Sequence, residues 1–433
     1  MGFYYLAYTL TGKRKAAVLA SVLFFLCGGF GFAYFFEGAK EDPSQFTRIF
    51  TEYYQTPTNY NDENIRWSNT ICDMIIPQRT TMAGWTVLLF ALWLLIDVLR
   101  TRQCSRFWLL GVVAGCMPMI HTHSFLALGV LSAVLLPLSL IGCKEKKSLF
   151  LCWLRYGGVA LALALPQLFF WTFSQTQGGS GFLIPQFNWV NEQDPYLWFW
   201  LKNCGLICLL VLPAAFAAQR ENRLLMIAAG VLFLLAELVL FQPNAYDNNK
   251  LFYVVYMLAV IVVSDYLLLL YDKLKGVRGR AFLAVLVIAA GTLSGLLTIG
   301  REYQSGAEYQ TFSDGQIAFA EFVKEETPPD ATFATSGDHL NPVSVLAGRN
   351  VFAGSELYVY FHGLGTELSR REAIIERLYT SASTNSLRSL AQENGIDYIL
   401  LSAAETRAYD VNQTALSGLE LIYDKNNIRL YRI

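Results

Sequence analysis

Phe107 to Cys143 reads FWLLGVVAGCMPMIHTHSFLALGVLSAVLLPLSLIGC, almost wholly apolar apart from a His-Thr-His triplet at 121–123 behind Pro118. Two of the chain's four histidines sit in it. As one continuous helix, residues 107–142 would run about 54 Å at roughly 1.5 Å per residue. That is too long for one crossing of a hydrocarbon core about 30 Å thick, and slightly short for two. Its flanks decide between them: Arg100, Arg102 and Arg106 precede it, and Lys144, Lys146 and Lys147 follow. Basic loops mark the cytoplasmic face, so the stretch enters and returns as a hairpin. Its histidines belong at the tip, near the external face. The limb before His121 reaches only about 21 Å, which places His121 below the external interface, in a polar cavity.

Working outward, the 433 residues are 54% hydrophobic with a mean hydropathy of +0.36, as expected of an integral membrane protein with room for a soluble domain. Lys and Arg total 33 against 34 Asp and Glu, a balance that argues against nucleic acid as a partner. None of the eight cysteines lies after Cys208. Their spacing suggests neither a disulfide framework nor a zinc site, and Cys204 and Cys208 read as packing residues.

Residues 3–11 read as the end of a helix, and an upstream span is expected. The first span is expected over 16–36, behind Lys13 to Lys15. The loop at 37–74 carries seven acids against three basic residues, which suits the external side. A span over 75–99 opens Ile-Ile-Pro-Gln-Arg, with Pro77 in the tolerant first turn of a helix and Arg79 entering the membrane. Beyond the hairpin, spans are expected at 151–173, 197–218, 224–241, 250–270 and 281–300. Arg220 and Arg223 mark one cytoplasmic loop, and Lys273, Lys275, Arg278 and Arg280 another. The predicted fold class is therefore an α-helical polytopic membrane protein of about nine segments over 1–300, amino end cytoplasmic. From about 301 the pattern changes to alternating helices (314–326, 366–380, 385–394) and strands (331–336, 350–353, 396–403, 419–424, 428–433). This predicts a small extracytoplasmic α/β domain over 301–433.

Polar groups at membrane depth are functional candidates. The topology gathers Arg79, His121, His123, Glu237 and the run Tyr-Asp-Asn-Asn-Lys (246–250) on one side. Asp247, Glu237, His121 and His123 are the candidate catalytic groups; Gln78, Arg79, His121, His123, Asn248, Asn249 and Lys250 are the candidate substrate-binding set. Arg79 and Lys250 suit a phosphate, one as a planar donor fork and one as a point charge; both equally suit snorkelling helix ends. Asp247 is a base, a metal ligand or a helix N-cap. Glu237 is buried and protonated, paired with a cation, or a packing residue. On a helix, residues two apart point about 200° from each other, so His121 and His123 share an ion only in an extended tip. A divalent metal, hydrogen bonding to a polar substrate, and structural satisfaction of the tip all stay open, and no cofactor is assigned. The aromatic stretch 182–200 fits a sugar or the bilayer surface. Ser-Gly-Asp-His (336–339) and Phe-His-Gly (361–363) follow turns in the soluble region.

Together, Ile-Ile-Pro-Gln-Arg (75–79), His-Thr-His-Ser-Phe (121–125), Tyr-Asp-Asn-Asn-Lys (246–250), Thr-Pro-Pro-Asp (327–330), Ser-Gly-Asp-His-Leu-Asn-Pro-Val (336–343), Ala-Gly-Arg (347–349) and the closing Ile-Arg-Leu-Tyr-Arg-Ile resemble the C-type (GT-C) polytopic membrane glycosyltransferases and related envelope proteins. The resemblance implies an enzyme that moves a sugar from a polyprenyl-phosphate carrier to a glycan or lipid acceptor on the external face of the plasma membrane. It implies carrier-phosphate binding by Arg79 and Lys250, and positioning by His121 and His123. The superfamily's catalytic acid usually lies in the first external loop, after the first span. That span and loop are expected to be absent from this sequence, unless the 37–74 loop takes the part through Glu41, Asp42, Asp62 or Asp73. The alternative is a non-catalytic membrane protein that binds a lipid carrier or glycan during envelope assembly. A transporter is disfavoured, because no repeat or pair of broken spans is visible in the sequence.

Overall fold

The computed structural model describes residues 1–49, 56–173, 182–304 and 310–433. The chain divides into two compact units, one of Met1–Gln175 with Leu183–Ala307, the other chiefly Glu308–Ile433.

The first unit is helical. It opens with α1 (Gly2–Thr11), α2 (Arg14–Phe25) and α3 (Gly31–Glu41), followed by α4 (Arg79–Thr101), α5 (Cys104–Gly115), α6 (Thr122–Leu140) and α7 (Lys146–Gln167). After the aromatic segment come α8 (Tyr196–Cys204), α9 (Leu206–Ala217), α10 (Arg220–Leu238), α11 (Asn249–Lys273) and α12 (Arg280–Glu302). Among the described residues five helices are long and apolar enough to cross a membrane: α4, α6, α7, α11 and α12. The pair α8–α9, bent by 96°, makes a sixth. The nine expected spans are thus five or six by length and composition. The hairpin is present, with α5 and α6 joined by a turn at 116–121 that contains Pro118.

Two expected spans are broken, and glycine explains both. The run 16–36 splits between α2 and α3. A Cβ on Gly29 (φ +60°) would lie 2.2 Å from the Asn203 carbonyl oxygen and 2.4 Å from that of Lys202, so only a residue without one fits. The second break, at Gly205 (φ 56°), meets the first: a Cβ there would lie 3.0 Å from the Gly29 Cα. Phe30 N donates to the Lys202 carbonyl across the contact (2.8 Å).

Breaking a helix in a membrane frees carbonyls that must be satisfied within the protein. The segment 64–75 does this. Part of the loop expected on the external side, it is packed into the unit, with Asn64, Ile65, Trp67, Ser68, Asn69, Thr70 and Met74 all buried. Asn69 Nδ2 donates to the Phe25 and Cys27 carbonyls (3.2 and 3.0 Å), and its Oδ1 accepts from Ile71 N and Cys72 N (2.8 and 3.1 Å). Asn203 serves the other end: Oδ1 accepts from Arg66 N and Trp67 N, while Nδ2 donates to the Asn64 and Phe199 carbonyls. Trp67 stacks on Tyr253 at 4.5 Å, and the Tyr253 hydroxyl donates to the Ser68 carbonyl.

Gly111 and Gly115 on α5 form a small-residue stripe against α7. A Cβ on Gly115 would meet Leu163 Cβ at 2.7 Å and the Ala160 carbonyl at 3.0 Å; on Gly111 it would meet the Tyr156 carbonyl at 2.8 Å. Close approach of this kind drives helix association where both partners face lipid. Gly115→Leu is expected to destabilise the unit by about 1–3 kcal/mol through overpacking. Gly157→Leu on α7, where a Cβ meets nothing within 4 Å, should leave the thermal midpoint in detergent near wild type. The same packing brings Cys104 and Cys152, 48 residues apart, together with Cα atoms 5.1 Å apart. No short sequence spacing signals a pair that only helix packing brings together.

The second unit holds a five-stranded sheet: β1 (Thr332–Ala334), β2 (Asn350–Val351), β3 (Tyr398–Leu401), β4 (Glu420–Lys425) and β5 (Ile428–Arg432) in the order β2-β1-β3-β5-β4. β1 pairs parallel with β2 and β3, whereas β5 runs antiparallel to β3 and β4. Strand side chains alternate between faces. Phe333, Tyr398 and Leu400 therefore enter a core with Phe319 and Val323 of α13 (Asp314–Glu326). Ala334, Ile399 and Leu401 enter another core with Ile375, Leu378 and Leu387 from α14 (Gly365–Tyr379) and α15 (Thr384–Glu393).

Candidate functional site

His121 is the N-cap residue of α6, in extended conformation (φ −163°), with Nδ1 2.7 Å from Ser124 Oγ. Its place is held open by Gly84 on α4, where a Cβ would lie 2.2 Å from His121 Cβ. Because His121 stands outside the helix that carries His123, the 200° separation does not apply, and the two ring centroids are 5.5 Å apart. Lys250 Nζ is 3.0 Å from Asp247 Oδ1, with both side chains largely buried, and Gln242 Nε2 donates to Asp247 Oδ2. The fold thus pairs His121 with His123 and Asp247 with Lys250. Among the described residues no group of three or more His, Cys, Asp or Glu is placed to hold a metal ion.

The other candidates lie elsewhere or are already engaged. Arg79 is exposed, and five residues of helix turn it about 140° from the Gly84 face that touches His121. Gln78 donates to the Asp73 carbonyl and accepts from Thr81 Oγ1. Asn248 is fully buried and donates to the Ala236 and Val239 carbonyls (2.8 and 2.7 Å), joining α10 to α11. Asn249 is buried with Nδ2 3.8 Å from Met74 Sδ. Glu237, 1% exposed, accepts from Trp200 Nε1 at 2.9 Å and Asn188 N at 3.0 Å. Both its oxygens are therefore committed to the aromatic segment rather than to Arg79 or Lys250.

Beside Glu237 runs an apolar groove of about 600 Å³ between α8–α9, α10 and α11. Trp200, Leu212, Gly230, Phe233, Phe252 and Tyr256 are among its lining residues, and Arg223 is the one charged residue. Phe252, Val255, Tyr256 and Ala259 supply the α11 wall. Lys250, two residues before Phe252, points about 200° away around the helix. The polar cluster and the groove therefore occupy opposite faces of α11.

Of the loop acids, Glu41, Asp42 and Asp62 are exposed and Asp73 is partly withdrawn. Asp73 accepts from Asn69 N at 2.7 Å. Burial, aided by the Glu302 charge and opposed by Arg301, pushes its carboxyl from 3.8 up to about 6. The folded chain then holds this proton more tightly than the unfolded chain does, so between those two values stability falls as pH rises. Asp73→Asn is expected to flatten that slope in thermal melts and to raise the midpoint above about pH 6. A wild-type slope in the variant would assign the titration to another group.

Sequence reading missed Lys202. It is 3% exposed, 2.6 Å from Asp194 Oδ2 and 2.5 Å from the Glu63 carbonyl; Asp194 also accepts from Asn64 Nδ2. A single lysine in the apolar run YLWFWLKNC (196–204) was the available signal, since such a charge needs a partner.

No family model and no curated protein matches the chain. Among solved structures it is similar to the archaeal oligosaccharyltransferase AglB from Archaeoglobus fulgidus in complex with an inhibitory peptide and a dolichol-phosphate. Identity is 12% and the TM-score 0.45, over 92% of this chain and 56% of that one. The apo form of the A. fulgidus oligosaccharyltransferase gives 12%, 0.48, 93% and 57%. Its complex with Zn and sulfate gives 13%, 0.45, 92% and 54%. The chain spans about half the length of these proteins.

Proposed function

We propose that the chain transfers a sugar from a polyprenyl-phosphate carrier to an envelope acceptor at the external face of the membrane. The observation that carries this reading is the apolar groove, whose volume and lining suit a prenyl chain taken from the bilayer. Its one charge, Arg223, donates to the Phe216 and Ala218 carbonyls, so the walls present hydrocarbon. In the transfer step the acceptor attacks the anomeric carbon, and the bond to the phosphate oxygen breaks with its electron pair leaving on the phosphate. The carrier is taken to bend around the amino-terminal turn of α11, prenyl chain on the groove face and phosphate on the opposite face. There Lys250 offsets the growing negative charge, Asp247 takes the acceptor's proton, and His121 and His123 position polar groups of the sugar.

Gly230→Phe tests the groove, because a Cβ at Gly230 meets no atom within 4 Å and a ring there would fill the channel. The variant should lower kcat/KM for a long-chain polyprenyl-phosphate sugar by at least tenfold and leave a short-chain donor analogue unaffected. Release of no sugar by the wild type from any polyprenyl-phosphate donor would overturn the transfer reading. Donor binding without release would favour a carrier-binding protein instead.

A further inference from the structure

The second unit carries a pocket that the transfer reaction does not use. It opens where β1 and β3 begin and β5 ends, with a volume of about 600 Å³, within the range of small-molecule sites. Two segments conspicuous in the sequence meet there: Thr-Pro-Pro-Asp (327–330) and the closing strand Ile-Arg-Leu-Tyr-Arg-Ile (428–433). We propose that this pocket binds a neutral carbohydrate of one or two residues through Asp330, Asp397, Gln392 and Arg432.

The chemistry of the lining selects that class. A sugar hydroxyl both donates and accepts, and the pocket offers carboxylates that accept, a guanidinium that donates and an amide that does both. Two carboxylates disfavour phosphate and other anions, while the Arg432 guanidinium disfavours a simple cation. The exposed Pro328 side chain supplies apolar surface for the C–H face of a sugar ring.

Two of the polar groups are already oriented. Asp397 Oδ2 accepts from Thr332 N at 2.9 Å, which fixes the carboxylate and leaves its second oxygen for a ligand. Arg432 Nη1 is held 3.2 Å from Glu420 Oε2. Such partners lock rotamers before a ligand arrives. Recognition here runs by hydrogen bonds rather than ring stacking, because Tyr398 is 5% exposed and stacked on Phe333 at 4.9 Å.

This inference goes beyond the proposed transfer reaction and does not depend on it. The test is saturation-transfer NMR on the full chain in nanodiscs, with methyl α-mannopyranoside, methyl α-glucopyranoside and methyl β-galactopyranoside as probes. Transfer to at least one glycoside is expected, with affinity at least tenfold weaker in the Asp330→Asn/Asp397→Asn double variant and unchanged in Lys250→Ala. Asparagine keeps an oxygen for Thr332 N, and a thermal melt checks folding. Gln392→Ala, at the end of α15, replaces the double variant should that variant unfold, and it too should weaken binding. Transfer to none of the three glycosides, binding unchanged in the pocket variants, or loss in Lys250→Ala would each overturn the assignment.

Discussion

Replacing Lys250 by alanine is expected to lower the rate of sugar transfer by about 100-fold or more, the scale seen when one preorganised group that stabilises transition-state charge is removed. The expectation rests on position. Lys250 is 3.0 Å from Asp247, with only 15% of its side chain exposed. Its removal also leaves Asp247 without its cation. Arg79→Ala should change the same rate less than about threefold, because an exposed helix-end arginine makes screened interactions of small worth. Measuring sugar release from a polyprenyl-phosphate donor by both variants separates the two cations that the sequence alone ranks as equals. A 100-fold loss in Arg79→Ala with an active Lys250→Ala would move the site to the other face of α4.

The second large effect is structural. Asn203→Ala should destabilise the membrane unit by about 3–5 kcal/mol, since it strips partners from buried backbone groups, each worth roughly 1–3 kcal/mol when left unsatisfied. The Arg66 and Trp67 N–H groups lose their acceptor, and the Asn64 and Phe199 carbonyls lose a donor. Leucine at 203 fills the space without restoring a bond and should be no better. The thermal midpoint and the rate of tryptic cleavage at Arg66 report the outcome: a lower midpoint with faster cleavage is expected. A midpoint within a degree of wild type, with Arg66 still protected, would mean that the segment 64–75 is held by its apolar contacts alone.

Much of this architecture is legible in local sequence. Hydropathy alone locates α4, α7, α11 and α12, because each carries an apolar run of span length within one continuous helix. The alternation of Tyr398, Ile399, Leu400 and Leu401 between two cores reads as a strand covered on both faces. The site is legible only in part. His121 pairs with His123 and Lys250 with Asp247, but Glu237, which shares their expected depth, is turned to the aromatic segment. Whether the histidines meet also depended on a conformation that a helical wheel does not contain, namely the extended His121 backbone against Gly84.

The sequence by itself determined that this chain is built from apolar helices, where the His-Thr-His hairpin turns, and that strands and helices alternate after residue 310. Each of these follows from apolar periodicity, basic flanks and turn residues acting within a few positions of one another. Tertiary structure alone decided that 64–75 is drawn into the membrane unit, that Lys202 finds Asp194, that Cys104 meets Cys152, and that α11 stands between the polar cluster and the groove. Whether a buried polar group is tolerable depends on partners more than a hundred residues away, such as Asn203 for Arg66 and Trp67. The free energy of that partnership has no local signature in the chain.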